Sequence, residues 1–262
     1  ITADAVPDRT ALICGDRSVT FSELDARANR LAHHMAANGI GERDHVAIYS
    51  LNSIEYVESM LATYKLRAVP INVNYRYEDE ELAYLFDNAD VVAVLYQSSF
   101  ADRIAAVTQR VHTLRHLIEI DNGTDTPVRS GAVDYESALA EQSDERDFAP
   151  RDDGDLYILY TGGTTGMPKG VLWRQHDIFI SAMGGRPFGQ AEAFPSLDAI
   201  VEASRNGGAR MMSVAPLMHG AAQWATFTGL TGGNTIVFPA DVTRLDPADV
   251  LATMEREKVL TL

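Results

Sequence analysis

A run of glycine, threonine and lysine between positions 160 and 170 has the composition of a loop that binds phosphate groups. Glycine lets backbone amides approach an anion closely, threonine adds hydroxyl donors, and lysine adds a mobile positive charge. Each charge-assisted hydrogen bond contributes about 1.5–3 kcal/mol, so several donors together could bind a triphosphate. An unliganded hairpin tip is the alternative, and the density of donors disfavours it. We therefore predict nucleotide contacts from Thr161, Gly162, Gly163, Thr164, Thr165, Gly166 and Lys169.

The spacing of this run differs from that of the phosphate-binding loop in P-loop NTPases. Lys169 follows Pro168 and precedes Gly170, whereas the P-loop motif places Ser or Thr directly after its lysine. No evident helix begins at the lysine either. A kinase or a GTPase is therefore disfavoured.

The composition limits which partners the chain can have. The sequence has 262 residues and a formal net charge of −15, from 37 acidic residues against 22 Lys and Arg residues. Such a surface repels nucleic acid and anionic lipid, so a phosphate ligand must be bound by a local site. The single cysteine, Cys14, excludes an intramolecular disulfide and a cysteine-based metal cluster. Because no apolar run reaches about 20 residues and no secretory signal is evident, we predict a cytoplasmic protein rather than an integral membrane protein.

Short β-branched runs alternate with helical periodicity through the first part of the chain. This alternation predicts an α/β fold with layered, largely parallel sheets covered by helices. The capping-box signature Thr20-Phe21-Ser22-Glu23 predicts the start of the first long helix. The predicted strands are 10–13 and 18–20, which form a hairpin, then 45–50, 68–73, 91–96 and 116–120, and the other predicted helices lie near 54–64, 78–88 and 100–111.

The second part of the chain follows a polar stretch at 121–155, which contains a short helical patch at 135–141. We interpret this stretch as a connector between subdomains 1–120 and 156–262. The apolar residues 259–262 predict the beginning of another strand, so we expect a longer protein whose C-terminal domain is absent from this sequence. Further strands are predicted at 156–160, 171–173, 210–214 and 235–238, and a further helix at 247–258.

At residues 160–170 the chain resembles the adenylate-forming superfamily, which includes acyl-CoA synthetases, luciferases and peptide-synthetase adenylation domains. The superfamily loop is usually written Y-T-S-G-T-T-G-x-P-K-G, and this chain has Gly162 where serine is common. T-F-S-E-L and A-N-R-L-A near the N-terminus, and A-P-L-M-H-G at 215–220, are similar to two other superfamily segments. Gly220 lies closer to His219 than is usual, and Arg174-Gln175 replaces a common Thr-His pair.

The resemblance implies an acyl-CoA synthetase-like N-terminal domain and a two-step reaction that uses ATP, Mg²⁺ and CoA. A carboxylate attacks the α-phosphorus of ATP, pyrophosphate leaves, and CoA captures the acyl adenylate. The resemblance gives catalytic roles to Lys169, near the β- and γ-phosphates, and to His219, near the carboxylate and α-phosphate. Thr161 would also lie close to the metal. The implied acyl-binding residues are His219, Ala221, Ala222 and Trp224.

The identity of the acid is less constrained than the reaction class. Trp173-Arg174, Asp177-Ile178 and the stretch 184–208 resemble a bacterial subgroup that handles bulky acids, so we favour a fatty or bulky hydrophobic acid. A fatty acyl-AMP ligase, an amino-acid adenylation domain and a non-catalytic nucleotide-binding fragment are the alternatives. The superfamily segments that contact adenine, ribose and the metal are absent from the sequence, so we expect this segment alone to be inactive. A homodimer is left open.

Overall fold

A computed structural model describes residues 1–124, 126–163, 166–187 and 189–262. The strands are β1 (Thr10–Cys14), β2 (Arg17–Thr20), β3 (His45–Tyr49), β4 (Val69–Asn72), β5 (Val91–Gln97), β6 (His116–Ile120), β7 (Val133–Asp134), β8 (Leu156–Gly163), β9 (Gly166–Arg174), β10 (Arg210–Met212) and β11 (Thr235–Phe238). The helices are α1 (Thr2–Ala5), α2 (Phe21–Ala37), α3 (Ile54–Lys65), α4 (Asp79–Asn88), α5 (Ala101–Thr108, after a 3-10 turn), α6 (Tyr135–Ala140), α7 (Gln175–Ala182), α8 (Leu197–Arg205), α9 (Gly220–Thr231) and α10 (Pro247–Glu257). None of the helices in the described ranges has the length and apolar character needed to cross a bilayer.

Contacts divide the chain into two compact units, each assembled from separate stretches of sequence. The first unit contains Ile1–Ala26, Leu51–Ile54 and His176–Leu262, and the second contains Arg27–Ser50 and Glu55–Gln175. The polar stretch 121–155 therefore lies within the second unit. The predicted subdomains, 1–120 and 156–262, are continuous stretches of sequence, whereas the two units defined by contacts are not. The subdomains remain a prediction about folding units.

The second unit is built around a seven-stranded sheet with the order β7-β6-β5-β3-β4-β8-β9. Its neighbouring strands are parallel except for β8 and β9, which are antiparallel. Strand β5 is buried along its whole length, which is typical of a parallel strand with helices on both faces. The prediction of a largely parallel, helix-covered sheet is confirmed.

Apolar clusters cover both faces of this sheet. Val94 and Tyr96 of β5 lie in one cluster with side chains of α4 and α5, whereas Ala93 and Leu95 lie in another with side chains of α2, α3 and α6. Successive side chains of a strand point to opposite faces, so the two clusters lie on opposite sides of the sheet. Removing this much apolar surface from water is the main term that stabilises the unit.

The first unit contains a four-stranded sheet with the order β10-β11-β1-β2. Strands β1 and β2 form the predicted antiparallel hairpin, and β11 lies parallel between β1 and β10. Helix α10 packs on β1, β10 and β11 through Val250. Within the strand predicted at 259–262, Thr261 forms an isolated parallel bridge with Met211.

The capping box at the start of α2 is confirmed. Thr20 N donates to Glu23 Oε2 over 2.7 Å, and Glu23 N donates to Thr20 Oγ1 over 3.2 Å. These bonds satisfy amide groups that a helix N-terminus leaves without intrahelical partners. Beyond the end of α2, Gly39 has a φ of 76°, the left-handed conformation that favours glycine after a helix.

Sequence analysis missed the helices α7, α8 and α9. Helix α8 has a usable signal, because Ser196 Oγ accepts a hydrogen bond from Ala199 N at its start. Helix α9 begins with Gly220 and consists almost entirely of apolar and small residues. Such a helix lacks the amphipathic period on which sequence interpretation depends.

Two imidazoles of the second unit meet between α2 and β6. His34 Nε2 and His116 Nε2 lie 2.9 Å apart. One ring must donate an N–H while the other keeps a bare nitrogen, so the contact requires that the pair is not doubly charged. Burial lowers the pKa of His34, and burial together with the neighbouring His34 lowers the pKa of His116 to about 4.

We expect this pair to make the protein less stable in acid. Unfolded histidine has a pKa of about 6.5, so the unfolded state binds the proton first, and stability falls as the pH drops from about 6.5 towards about 4. His116→Gln should remove about 1 kcal/mol of this loss at about pH 5, as measured by urea unfolding. His33→Gln is the control, and identical pH profiles for the two variants would contradict the prediction.

Candidate functional site

The predicted phosphate loop, residues 160–170, falls largely within the antiparallel strands β8 and β9. Thr161 pairs with Lys169, and Tyr160 pairs with Gly170. The strand predicted at 171–173 is confirmed but is longer than predicted, because β9 begins at Gly166. Lys169 therefore lies inside a strand rather than at a helix start. Strand β8 also continues further than predicted, because it reaches Gly163.

The side chains of Thr161 and Lys169 share one face of this hairpin. Directly opposed residues of an antiparallel pair place their Cβ atoms about 5 Å apart on the same side. Both residues are exposed. Lys169 forms no ion pair with any residue in the described part of the chain. A hydroxyl donor and an ammonium group are therefore adjacent and accessible to an anion.

The glycines of the hairpin have two different roles. Among the residues that the structure describes, leaving out the two chain neighbours, a Cβ added at Gly162 would meet only the Tyr77 hydroxyl, at 4.0 Å, and one added at Gly166 would meet no atom within 4 Å. A Cβ added at Gly170 would instead lie 2.9 Å from Tyr160 Cε2, which is too close for packed atoms. Gly170 therefore has a packing role. Gly162 and Gly166 leave open space beside the backbone, where oxygen atoms of an anion could reach the amides.

The base of the hairpin is anchored by two asparagines. Tyr160 N donates to Asn72 Oδ1 over 2.7 Å, and Asn72 Nδ2 donates to Tyr160 O over 2.8 Å. The Tyr160 hydroxyl donates to Asn88 Oδ1 over 2.9 Å. Burial, with smaller contributions from Tyr84 and Asp90, raises the pKa of Tyr160. Sequence reasoning missed both asparagines, because Tyr160 lies 88 and 72 residues away from them and no local pattern marks such pairs.

The structure places only some of the predicted nucleotide contacts. Thr161, Gly162, Gly166 and Lys169 are brought together on the hairpin. Gly163 is described only through its backbone. The two remaining predicted contacts, Thr164 and Thr165, lie outside the described residues. Their roles stay predictions.

A magnesium ion at this hairpin would depend mainly on oxygen atoms of the nucleotide and of water. Across the ranges that the structure describes, no group of three His, Cys, Asp or Glu side chains could hold a metal ion. Mg²⁺ keeps several waters and is commonly bound through phosphate oxygens and one or two protein oxygens. The exposed hydroxyl of Thr161 suits that donor chemistry. The residues present therefore fit a metal that arrives with a triphosphate.

His219 lies in the first unit, directly before helix α9. It is the N-cap residue, with extended backbone at φ −109° and ψ 141°, and its side chain makes no capping hydrogen bond. His219 N donates to Pro216 O over 2.9 Å, and Gln223 N donates to His219 O over 3.2 Å. The side chain is exposed. The backbone of His219 is thus fixed at the helix start, while its imidazole is exposed.

Two polar side chains order the segment before His219. Asn52 Nδ2 donates to Ala215 O over 3.1 Å, and Leu217 N donates to Asn52 Oδ1 over 2.7 Å. Gln223 Nε2 donates to Leu217 O over 2.8 Å. Sequence analysis did not single out Asn52 or Gln223. The asparagine lies 163 residues from Ala215, so no local signal could have indicated the contact.

The other predicted acyl-binding residues lie on α9 with different degrees of burial. Ala221 is exposed and Trp224 is half-buried, and their spacing of three residues places them on one side of the helix. Ala222 is 2% exposed and belongs to the packed side. Trp224 Nε1 is buried and has no acceptor among the residues that the structure describes. Contact of these residues with an acid stays a prediction.

Comparison with known proteins gives relatives that match nearly the whole chain. The family described as AMP-binding enzyme matches residues 1–262. The medium-chain acyl-CoA ligase Mig of Mycobacterium avium is 43% identical over 99% of this chain and 50% of its own length. A 3-oxocholest-4-en-26-oate–CoA ligase of Rhodococcus rhodochrous is 44% identical over 90% of this chain and 43% of its own length. The chain therefore spans about half the length of the curated relatives it matches.

Solved structures share the fold at lower sequence identity. The anthranilate CoA ligase AuaEII, in complex with anthranoyl-AMP, superposes with a TM-score of 0.81 at 21% identity, over 98% of this chain and 47% of that chain. A fatty acyl CoA synthetase of Mycobacterium tuberculosis superposes with a TM-score of 0.78 at 22% identity, over 98% of this chain and 46% of that chain. The predicted acyl-CoA synthetase-like fold is confirmed. Since the family model also matches every residue from 1 to 262, the chain belongs to the family of AMP-binding enzymes.

Proposed function

We propose that this chain, within a protein of the length of its curated relatives, activates a carboxylic acid with ATP and then transfers the acyl group to CoA. In the first step an acid oxygen bonds to the α-phosphorus and pyrophosphate leaves. In the second step the CoA thiol loses its proton to water, its sulfur bonds to the acyl carbon, and AMP leaves. The observation that carries the proposal is the exposed Thr161–Lys169 pair beside two unpacked glycines, in a member of the AMP-binding family.

The first step needs charge neutralisation more than acid–base catalysis. A carboxylic acid is already ionised at neutral pH, so no base has to remove its proton. The obstacle is the approach of one anion to another in the correct line. Lys169 places positive charge beside the β- and γ-phosphates, while the Thr161 hydroxyl and the amides near Gly162 donate hydrogen bonds. Both effects stabilise the charge that gathers on the leaving pyrophosphate.

A divalent cation would complete this neutralisation. Mg²⁺ bound to the triphosphate supplies two further positive charges, and Thr161 together with phosphate oxygens would hold it. The formal net charge of the chain is −15, so the protein's long-range field opposes nucleotide binding. Short-range donors and a cation that accompanies the nucleotide offset that opposition.

The acid would bind beside α9. His219 is assigned contact with the carboxylate and the α-phosphate, and Ala221, Ala222 and Trp224 are assigned to the acyl pocket. Two relatives are named for medium-chain acyl and 3-oxocholest-4-en-26-oate substrates, which supports a fatty or bulky hydrophobic acid. The proposal includes a cytoplasmic location and leaves the homodimer open.

The acid class can be tested by ATP–pyrophosphate exchange on the protein that contains this chain. The panel contains fatty, aromatic, steroid and amino acids. We expect exchange with the fatty or steroid acids, followed by acyl-CoA formation when CoA is added. Exchange with amino acids alone would favour an adenylation domain, and exchange without acyl-CoA formation would favour an acyl-AMP ligase. No exchange with any acid would contradict the proposed function.

Removing the lysine should weaken the use of ATP. Lys169→Ala deletes the exposed ammonium next to Thr161, and we expect kcat/KM for ATP to fall about tenfold or more, equivalent to about 1.4 kcal/mol. The measurement is ATP–pyrophosphate exchange. Arg43→Ala is the matched control, because it deletes one positive charge from a side chain that is 86% exposed elsewhere on the same unit. Equal kinetics for the two variants would count against the assignment of Lys169.

The two classes of glycine should separate affinity from stability. Gly162→Ala adds a methyl group in open space, so we expect weaker ATP binding and little change in the urea midpoint. Gly170→Ala pushes a methyl group against Tyr160, so we expect a loss of about 1–3 kcal/mol of stability. Calorimetric titration with ATP and urea unfolding measure the two effects. Loss of stability in Gly162→Ala with unchanged ATP binding would give that glycine a structural role only.

A further inference from the structure

The pairing of β8 with its parallel neighbour β4 is short. One Cα pair, Ile71 with Ile158, defines the whole ladder between the two strands. The phosphate hairpin begins at Tyr160, two residues beyond that pair. Strand β8 is paired with β9 along the hairpin, so this single pair is the backbone pairing that joins the hairpin to β4. A hairpin joined to the neighbouring strand by so little backbone pairing would move easily at its base unless another interaction held it.

The side chain of Asn72 provides that interaction. Asn72 is the last residue of β4 and is 5% exposed. Its carboxamide accepts from Tyr160 N over 2.7 Å and donates to Tyr160 O over 2.8 Å. A carboxamide carries the same donor and acceptor as a peptide group. The side chain therefore extends the ladder by one rung after the backbone pairing has ended.

The ring of Tyr160 is held as firmly as its backbone. Its hydroxyl donates to Asn88 Oδ1 over 2.9 Å, at the end of α4. Its ring lies over Gly170, where an added Cβ would be 2.9 Å from Cε2. Tyr160 is thus fixed on the packed face of the hairpin. The next residue, Thr161, points to the opposite, exposed face together with Lys169.

We propose that Asn72 is a positioning residue for the phosphate-binding hairpin. It acts through Tyr160, whose fixed backbone sets the position of Thr161 and of the paired Lys169. The inference rests on the proposed use of that hairpin to bind ATP. A loose hairpin must lose more conformational freedom when the triphosphate binds. Removal of the two hydrogen bonds between the Asn72 side chain and the Tyr160 backbone, here called the clamp, therefore weakens ATP binding more than acid binding.

The chain offers a matched control for a buried asparagine. Asn29 is 1% exposed in the same unit and donates from Nδ2 to Asp144 O over 2.7 Å. Asn72→Leu and Asn29→Leu each remove a buried carboxamide. In the protein that contains this chain, we expect Asn72→Leu to raise the KM for ATP about tenfold relative to Asn29→Leu. The KM for the acid should stay within about twofold of the control.

A second variant separates positioning from general damage. Asn72→Asp keeps the shape of the side chain but loses the donor to Tyr160 O while it is ionised. Once protonated, the carboxyl group again both donates and accepts. The ratio of its KM for ATP to that of the wild type should therefore fall towards unity as the pH drops from about 8 to about 5.5, since burial raises the pKa of such a carboxyl group.

The outcomes distinguish this inference from the proposed function. Hydrogen exchange of the backbone amides on β8 and β9 should accelerate in Asn72→Leu but not in Asn29→Leu, with or without activity. Equal exchange in the two variants, a ratio for Asn72→Asp that does not change with pH, or a parallel rise of KM for ATP and acid would each overturn the positioning role. Absence of ATP–pyrophosphate exchange in the wild type would contradict the proposed function. Amide hydrogen exchange on β8 and β9 would still test the clamp.

Discussion

The candidate site depends on the alternation of side chains along one short strand. Tyr160 faces inward and Thr161 faces outward, so each residue that packs the hairpin fixes a neighbour that is free to contact a ligand. The double hydrogen bond from Asn72 and the close contact of Gly170 supply the packing. Both lie on the inward face. Substitutions on the inward face would therefore shift the exposed donors without removing any of them.

Charge makes this arrangement demanding. The chain has 15 more formal negative charges than positive ones, so a polyphosphate is repelled before it reaches the surface. Screening limits that repulsion to about 8 Å at physiological ionic strength. Inside that distance, amides, a hydroxyl and one ammonium act at hydrogen-bond range, where geometry decides their strength. Donors that are already aligned therefore favour the binding of ATP to a net acidic protein.

Local sequence patterns predicted the parts of the fold that local physics dictates. The strands at 116–120 and 235–238 match the predicted bounds, because short runs rich in Leu, Ile and Val mark strands. Local sequence also predicted the capping box of α2 and the β1–β2 hairpin that precedes this helix. Helix α9 was missed because it consists mainly of apolar or small residues on every side. Its hydrophobic residues therefore show no period of 3.6 residues.

The residues that sequence reasoning could not find share one property. Asn72, Asn88 and Asn52 each bond a main-chain or side-chain group that lies far away in the sequence. Asparagine is common in turns and on surfaces, so an isolated one predicts little. Once buried, its carboxamide must find both a donor and an acceptor. A buried asparagine beside an irregular segment can therefore make the hydrogen bonds that a peptide group would make. It can hold a strand at the point where backbone pairing stops and ligand binding begins.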